Sequence, residues 1–234
     1  MQSTLGEFKE TASQEAFALQ NSKLLKVSLQ QITIQAKLGS MVAYQGDVKF
    51  EHAGSGGVSR LMKKAMTGEG TSLMKLEGTG EVFLADQAQD IHLIKLENDQ
   101  ITCNGANLLA FDAGIDWDIK REKGVGALAG GLFNMALSGS GWVAVVSDGP
   151  PVLLQTGDAA TYADPQAAIT WASSVQTSMK TDVNLKTLIG RGSGESVQMA
   201  FSGPGWVLVQ PSEGRVLQTS NTGGGGGVLG NLTG

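Results

Sequence analysis

Apolar and polar positions alternate early in the chain. Val27 and Leu29, then Ile32 and Ile34, recur at period two, the spacing that puts side chains on one face of a β-strand. The pattern predicts strands over 24–29, 31–36 and 40–44, with Gly46-Asp47 as a turn signal leading into another over 48–51. Residues 1–22 are polar and predict no element.

Further along, the pattern repeats itself. Met135-Ala136-Leu137-Ser138-Gly139-Ser140-Gly141-Trp142-Val143 is nearly restated 64 residues later as Met199-Ala200-Phe201-Ser202-Gly203-Pro204-Gly205-Trp206-Val207. A weaker copy carries Gly78-Thr79-Gly80 after Met74. Such self-similarity at long spacing means one supersecondary unit used several times. After each core a β-rich run, a turn cluster and a second β-rich run read as a hairpin: 143–146 with 152–156, 207–209 with 215–219, and 81–84 with 91–96. A front half repeats too, since 104–111 and 163–171 both set a turn before an apolar strand. Glycines inside strand patterning predict a bulge, a bend or a close backbone approach. A phosphate cradle needs a helix directly after the glycines, and β-branched and aromatic runs follow instead.

Each copy is preceded by a glycine-bounded apolar excursion. In the first, Val58, Leu61, Met62, Ala65 and Met66 lie at helical spacing, with Arg60, Lys63 and Lys64 mostly off that stripe. This short basic helix would touch an acidic membrane, or pack its Met stripe on its own sheet or a neighbouring subunit. The second runs from Gly124 through Leu128 and Leu132 to Phe133, and the third, with Asp182 as cap, carries Leu185 and Leu188. Three such excursions in equivalent places suggest one shared interaction face. The chain ends in five glycines, 223–227, and an apolar tail with Val228 and Leu229, so the organisation expected is one β domain over 1–222 and a tail over 223–234.

Composition narrows the chemistry. At 234 residues with 33 glycines and only 5 prolines, the chain suits one sizeable β core with many tight corners. A net charge of −5 without a long basic cluster speaks against nucleic acid as partner. Cys103 stands alone, so no internal disulfide forms, and its setting predicts a small buried residue. His52 and His92 lack metal-ligand spacing. Asp116 and Asp118 share a strand face near Asp112, a conceivable carboxylate or divalent-ion pair, though a solvated face explains them more simply. The N-terminus carries no secretory or transit pattern and no segment approaches a membrane span, which leads us to expect a cytoplasmic, prokaryotic protein.

These repeats, the excursions, the strand Leu108-Leu109-Ala110-Phe111 and the glycine-rich tail together resemble the bacterial and archaeal relatives of the mitochondrial biogenesis protein named for altered inheritance of mitochondria. The resemblance implies an all-β fold, a double-stranded β-helix-like β-sandwich with pseudo-three-fold internal repeats, to which the excursions add short helical insertions. It groups the fold with that of the tryptophan-sensing RNA-binding attenuation protein (TRAP-like), and it carries over no catalytic residue, RNA site or mitochondrial address. The expected function is therefore that of a non-enzymatic structural or interaction protein without cofactor or metal. Such a protein is expected to form a homo-oligomer and to engage a protein or peripheral membrane partner, with Leu61, Met62, Met66, Leu128, Leu132, Phe133, Leu185, Leu188, Val228 and Leu229 as the candidate surface. The alternatives are a small-ligand binding module in the barrel interior and, more remotely, an enzyme using Asp112, Asp116 and Asp118.

Overall fold

The computed structural model describes residues 3–30, 32–52, 72–121, 133–181 and 197–212, and strand follows strand through them. In chain order these are β1 (Phe17–Asn21), β2 (Leu24–Gln30), β3 (Ile34–Lys37), β4 (Met41–His52), β5 (Leu73–Leu84), β6 (Asp90–Asn104), β7 (Leu108–Asp112) and β8 (Asp116–Arg121). They continue as β9 (Phe133–Ser147), β10 (Val152–Thr156), β11 (Thr161–Ala163), β12 (Ala168–Ala172), β13 (Gln176–Thr181), β14 (Val197–Ser202) and β15 (Gly205–Val209). Helix among the described residues is confined to 3-10 turns at Leu5–Phe8 and Gly105–Asn107. The short helical insertions expected from the sequence fall outside the described residues. The fold is all-β and antiparallel, with twelve strands bonded into one sheet and β11, β14 and β13 into a second; the strand path is not closed.

The repeat in the sequence is a repeat in the hydrogen-bond ladder. A central strand bearing the glycine pair is β5 in the first unit, β9 in the second and β14 with β15 in the third. Along one side runs the strand that opens the unit: β2 continuing as β3, then β6, then β10 continuing as β11. Along the other runs the returning strand: β4, then β7 with β8, then β12 with β13. The same register shift recurs on that returning strand in all three units, between Met41 and Ala43, Leu108 and Ala110, and Ala168 and Thr170. A bulge kept at one ladder position re-aims one side chain each time. Successive units are joined where the opening strand of one pairs with the returning strand of the next, β3 with β7 and β6 with β12.

The ladder overturns three local expectations. The runs 81–84 with 91–96, and 143–146 with 152–156, are not hairpins. β6 pairs with β9, and β10 with β15, so each turn cluster carries the chain into the next unit. Turn residues mark a change of direction without choosing which strand is joined next. Gly46-Asp47 is not a reversal either: β4 runs straight through it, with Gly46 opposite Gly80 and φ +93°. Residues 17–21, read as polar coil, form β1 on the free edge of β2 and bury Phe17. A single buried aromatic in a polar segment leaves no period to detect.

Alternation along the strands fills three linked clusters. Leu25, Val27, Leu29, Ile34, Leu76, Val82 and Leu84 build the first; Leu96, Ile101, Leu108, Phe111, Leu137 and Val143 the second; Trp171, Met199, Phe201 and Val207 the third. Each buried aliphatic or aromatic side chain contributes about 1.5–3 kcal/mol of transfer free energy. All four tryptophans sit on strands, as the sequence pattern indicates. The interior is thus packed with Leu, Ile, Val and aromatic side chains, which argues against a ligand chamber in it.

Candidate functional site

In each unit the glycine pair packs against the returning strand, which runs on in the first unit and turns a corner in the second and third. A Cβ on Gly80 would stand 2.0 Å from the Gln45 carbonyl oxygen, and one on Gly78 2.1 Å from that of Asp47. In the second unit a Cβ on Gly141 would meet the Asp112 side chain, Oδ2 at 2.7 Å and Cβ at 2.9 Å. In the third, one on Gly205 would meet Val175 at 2.6 Å and Ser174 at 3.0 Å. All six glycines of the pairs have positive φ. Close main-chain approach thus explains the pair in the first unit, while in the second and third the glycines of the pair share the positive φ and Gly141 and Gly205 approach side chains. The second and third units turn at this corner through matching bonds, Ile115 N–H to Asp112 O and Val175 N–H to Ala172 O, and bury Ile115 and Val175.

Asp112 is absorbed by this corner: its carboxylate accepts the Trp142 N–H. Burial raises its pKa and that hydrogen bond draws it back down. Asp116 and Asp118 are exposed on β8. Among the described residues no three His, Cys, Asp or Glu side chains are grouped to hold a metal. Cys103 is fully buried, and burial pushes its thiol up to about 12. His92 approaches Ser147, Nε2 to Oγ 2.8 Å. The Ser147 hydroxyl already donates to Gly149 O at 2.6 Å, so the imidazole is the donor and does not take the serine proton.

Sequence reasoning did not anticipate the polar network that links the turns between units. Asn107 Nδ2 donates to Val146 O at 2.8 Å and to Gln210 Oε1 at 3.3 Å. Gln210 Oε1 also accepts from Asp148 N–H at 3.0 Å, and its Nε2 donates to Gln166 O at 3.1 Å. Gln89 Nε2 donates to Asp148 Oδ1 at 2.8 Å. Asn and Gln in separate turn clusters carry no shared spacing from which this convergence could be read. Nearby, an open cleft of about 530 Å³ is lined by Lys37, Ser40, Val42, Asp86 and Gln87. Its cation and carboxylate neutralise one another, Lys37 Nζ to Asp86 Oδ2 at 2.6 Å.

The three excursions occupy equivalent places. They connect β4 to β5, β8 to β9 and β13 to β14, in each unit the returning strand to the central strand. The last described pairs before them are His52 with Met74, Arg121 with Phe133, and Thr181 with Val197. Phe133 therefore opens β9. Leu61, Met62, Met66, Leu128, Leu132, Leu185, Leu188, Val228 and Leu229 lie outside the described residues, as does the helix expected over 58–66. Among the described residues no helix is long and apolar enough to cross a membrane.

Three like ladders, glycine corners and excursions at matching hairpin ends define an all-β repeat protein. The chain belongs to the mitochondrial biogenesis AIM24 family, whose model matches residues 17–212. That membership implies a role related to mitochondrial biogenesis and assigns no reaction. A Streptococcus pyogenes protein solved by structural genomics shares the fold, with a TM-score of 0.68 at 21% identity over 84% of this chain and 92% of that one. Among curated proteins none matches the chain significantly.

Proposed function

We propose that this protein is a non-enzymatic interaction scaffold, cytoplasmic in a prokaryote, that self-associates and presents its apolar excursions to a protein or membrane partner. One observation carries the reading: all three excursions join the same two strands of the repeat. Insertions at one ladder position in each unit extend a repeat whose described strands already pair with one another, and in sequence they carry Met, Leu and Val.

The test compares the full chain with two deletions, 56–68 and 223–234, by light scattering, thermal melting and flotation with vesicles rich in phosphatidylglycerol. The expected result is weaker recruitment to vesicles or to copurifying protein at an unchanged Tm. Vesicle binding and copurification separate the two partner classes. Unchanged recruitment in both deletions overturns the reading.

A further inference from the structure

Residues 9–16, ahead of β1, form a strap tied to β1, β2 and β4 by polar groups. Its main chain is extended at Lys9, with φ −63° and ψ 151°. Gln20 on β1 holds that main chain at two points. Its Nε2 donates to Lys9 O at 2.9 Å, and its Oε1 accepts the Thr11 N–H at 2.8 Å. A carboxamide placed this way grips an extended chain whatever its side chains are. The residue between, Glu10, is held by its side chain instead. Gln45 Nε2 on β4 donates to its Oε1 at 2.6 Å, and Lys26 Nζ on β2 donates to its Oε2 at 3.3 Å. Lys26 Nζ also donates to Thr11 O at 3.2 Å. One donor for each carboxylate oxygen, one of them a cation, gives charge-assisted recognition of a glutamate.

The repeat shows that these groups are peculiar to the first unit. Lys26 lies opposite Phe83; at the same ladder position Leu93 lies opposite Ala144, and Leu153 opposite Leu208. Glu81, which follows Gly80, has as counterparts Trp142 after Gly141 and Trp206 after Gly205. Two apolar places of the repeat therefore carry a lysine and a glutamate here. Lys26 is only 6% exposed, and a charge so buried costs free energy unless partners answer it. The strap supplies one of those partners, but loosely. With Glu81 at 2.8 Å from Lys26, two carboxylates share one cation. Glu10 itself is exposed, and no apolar side chain is buried between residues 9 and 15, so polar bonds alone hold this stretch and it can exchange. Gln20, Lys26, Gln45 and Glu81 fall inside the stretch that matches the family; Lys9, Glu10 and Thr11 fall outside it.

We propose that Gln20, Lys26 and Gln45 form a binding site for an extended peptide bearing a glutamate, and that Lys9-Glu10-Thr11 fills this site from within the chain as an autoinhibitory segment. Gln20 reads the peptide main chain, and Lys26 with Gln45 reads the carboxylate. An acidic peptide of a partner enters by displacing the strap. Tethering keeps the strap at an effective concentration on the order of millimolar, so an outside peptide binds at a disadvantage until the strap leaves. The inference uses neither the excursions nor self-association, so its failure and that of the function proposed above are separate results.

The test titrates a fluorescent peptide of residues 6–14 against the full-length wild type and full-length Glu10→Ala by anisotropy, and follows tryptic cleavage after Lys9 in both. Glu10→Ala should bind the peptide at least tenfold more tightly than wild type and be cut after Lys9 at least tenfold faster, at wild-type Tm. The same peptide carrying Glu10→Gln should lose most of that affinity. Gln20→Ala and Gln45→Ala, each added to Glu10→Ala, should lose the gain as well; they lie on different strands, so one remains informative where the other disturbs the fold. Equal cleavage of wild type and Glu10→Ala overturns the latch. Faster cleavage without a gain in peptide binding shows a loose strap over no site, and overturns the proposal. Binding that ignores the peptide's glutamate, or that survives both added substitutions, overturns it too.

Discussion

Replacing the corner glycines by alanine separates backbone strain from close approach. Gly139 and Gly80 both have positive φ, at +127° and +156°, so alanine is conformationally strained at either. Their surroundings differ. A Cβ on Gly139 has nothing nearer than 3.9 Å, while one on Gly80 falls 2.0 Å from Gln45 O and 3.1 Å from Gly46 Cα. Gly139→Ala should therefore cost the strain alone, about 1–2 kcal/mol. Gly80→Ala adds an overlap with main chain, which cannot swing aside without opening the β4–β5 ladder, for a total of about 3–5 kcal/mol. Gly141→Ala falls between, because its obstacle is the Asp112 side chain and moving it forfeits the hydrogen bond from Trp142. At about 2–4 °C per kcal/mol for a chain of this size, Tm drops by roughly 2–8 °C for Gly139→Ala and by roughly 6–20 °C for Gly80→Ala. The assay is thermal unfolding followed by circular dichroism. Equal losses at Gly80 and Gly139 would refute close approach as the reason for the glycine at position 80.

Lys26 is buried between Glu81 at 2.8 Å and Glu10 at 3.3 Å, and its pKa is raised, chiefly by the Glu81 hydrogen bond. Its stabilisation is complete below the ordinary lysine value of about 10.4 and fades as pH rises through the folded value. Lys26→Met should cost about 1–2 kcal/mol at neutral pH and flatten the alkaline limb of Tm against pH; an unchanged alkaline limb refutes the assignment. Asp112 is the opposite case for a carboxylate, its pKa raised by burial, so it weakens the fold as pH rises through that value. Asp112→Asn keeps an acceptor for Trp142 and should match or exceed wild-type stability at pH 7 by under about 1 kcal/mol, with the gain vanishing below about pH 4. A clear loss at pH 7 would show that the charge itself holds the corner. Cys103, with its thiol at about 12, should resist a thiol reagent at pH 8 in the native protein and react once unfolded. Rapid native labelling would contradict its burial.

Short-range order was legible in the sequence. Period-two alternation marks β2 and β3, the repeated glycine cores mark the central strands, and the repeated front half marks β7 and β12. These are local signals: a strand's face and a corner's need for glycine depend on neighbours in the chain and on φ. Which strands pair was not local. The runs 143–146 and 152–156 look like one hairpin, yet β10 joins β15, because hydrogen bonding to the next unit competes with folding back and the turn residues allow either. Likewise Tyr44, Phe111 and Trp171 occupy one position in the repeat, but nothing in their local sequence says that the last two are buried by a neighbouring unit and the first is left at an edge. The equivalence of the three excursions was suggested by their order and given a physical basis by the ladder. The asymmetry between the first and last units was decided by tertiary structure alone, since among the described residues three units in a line form two junctions and leave β4 and β11 with one partner each.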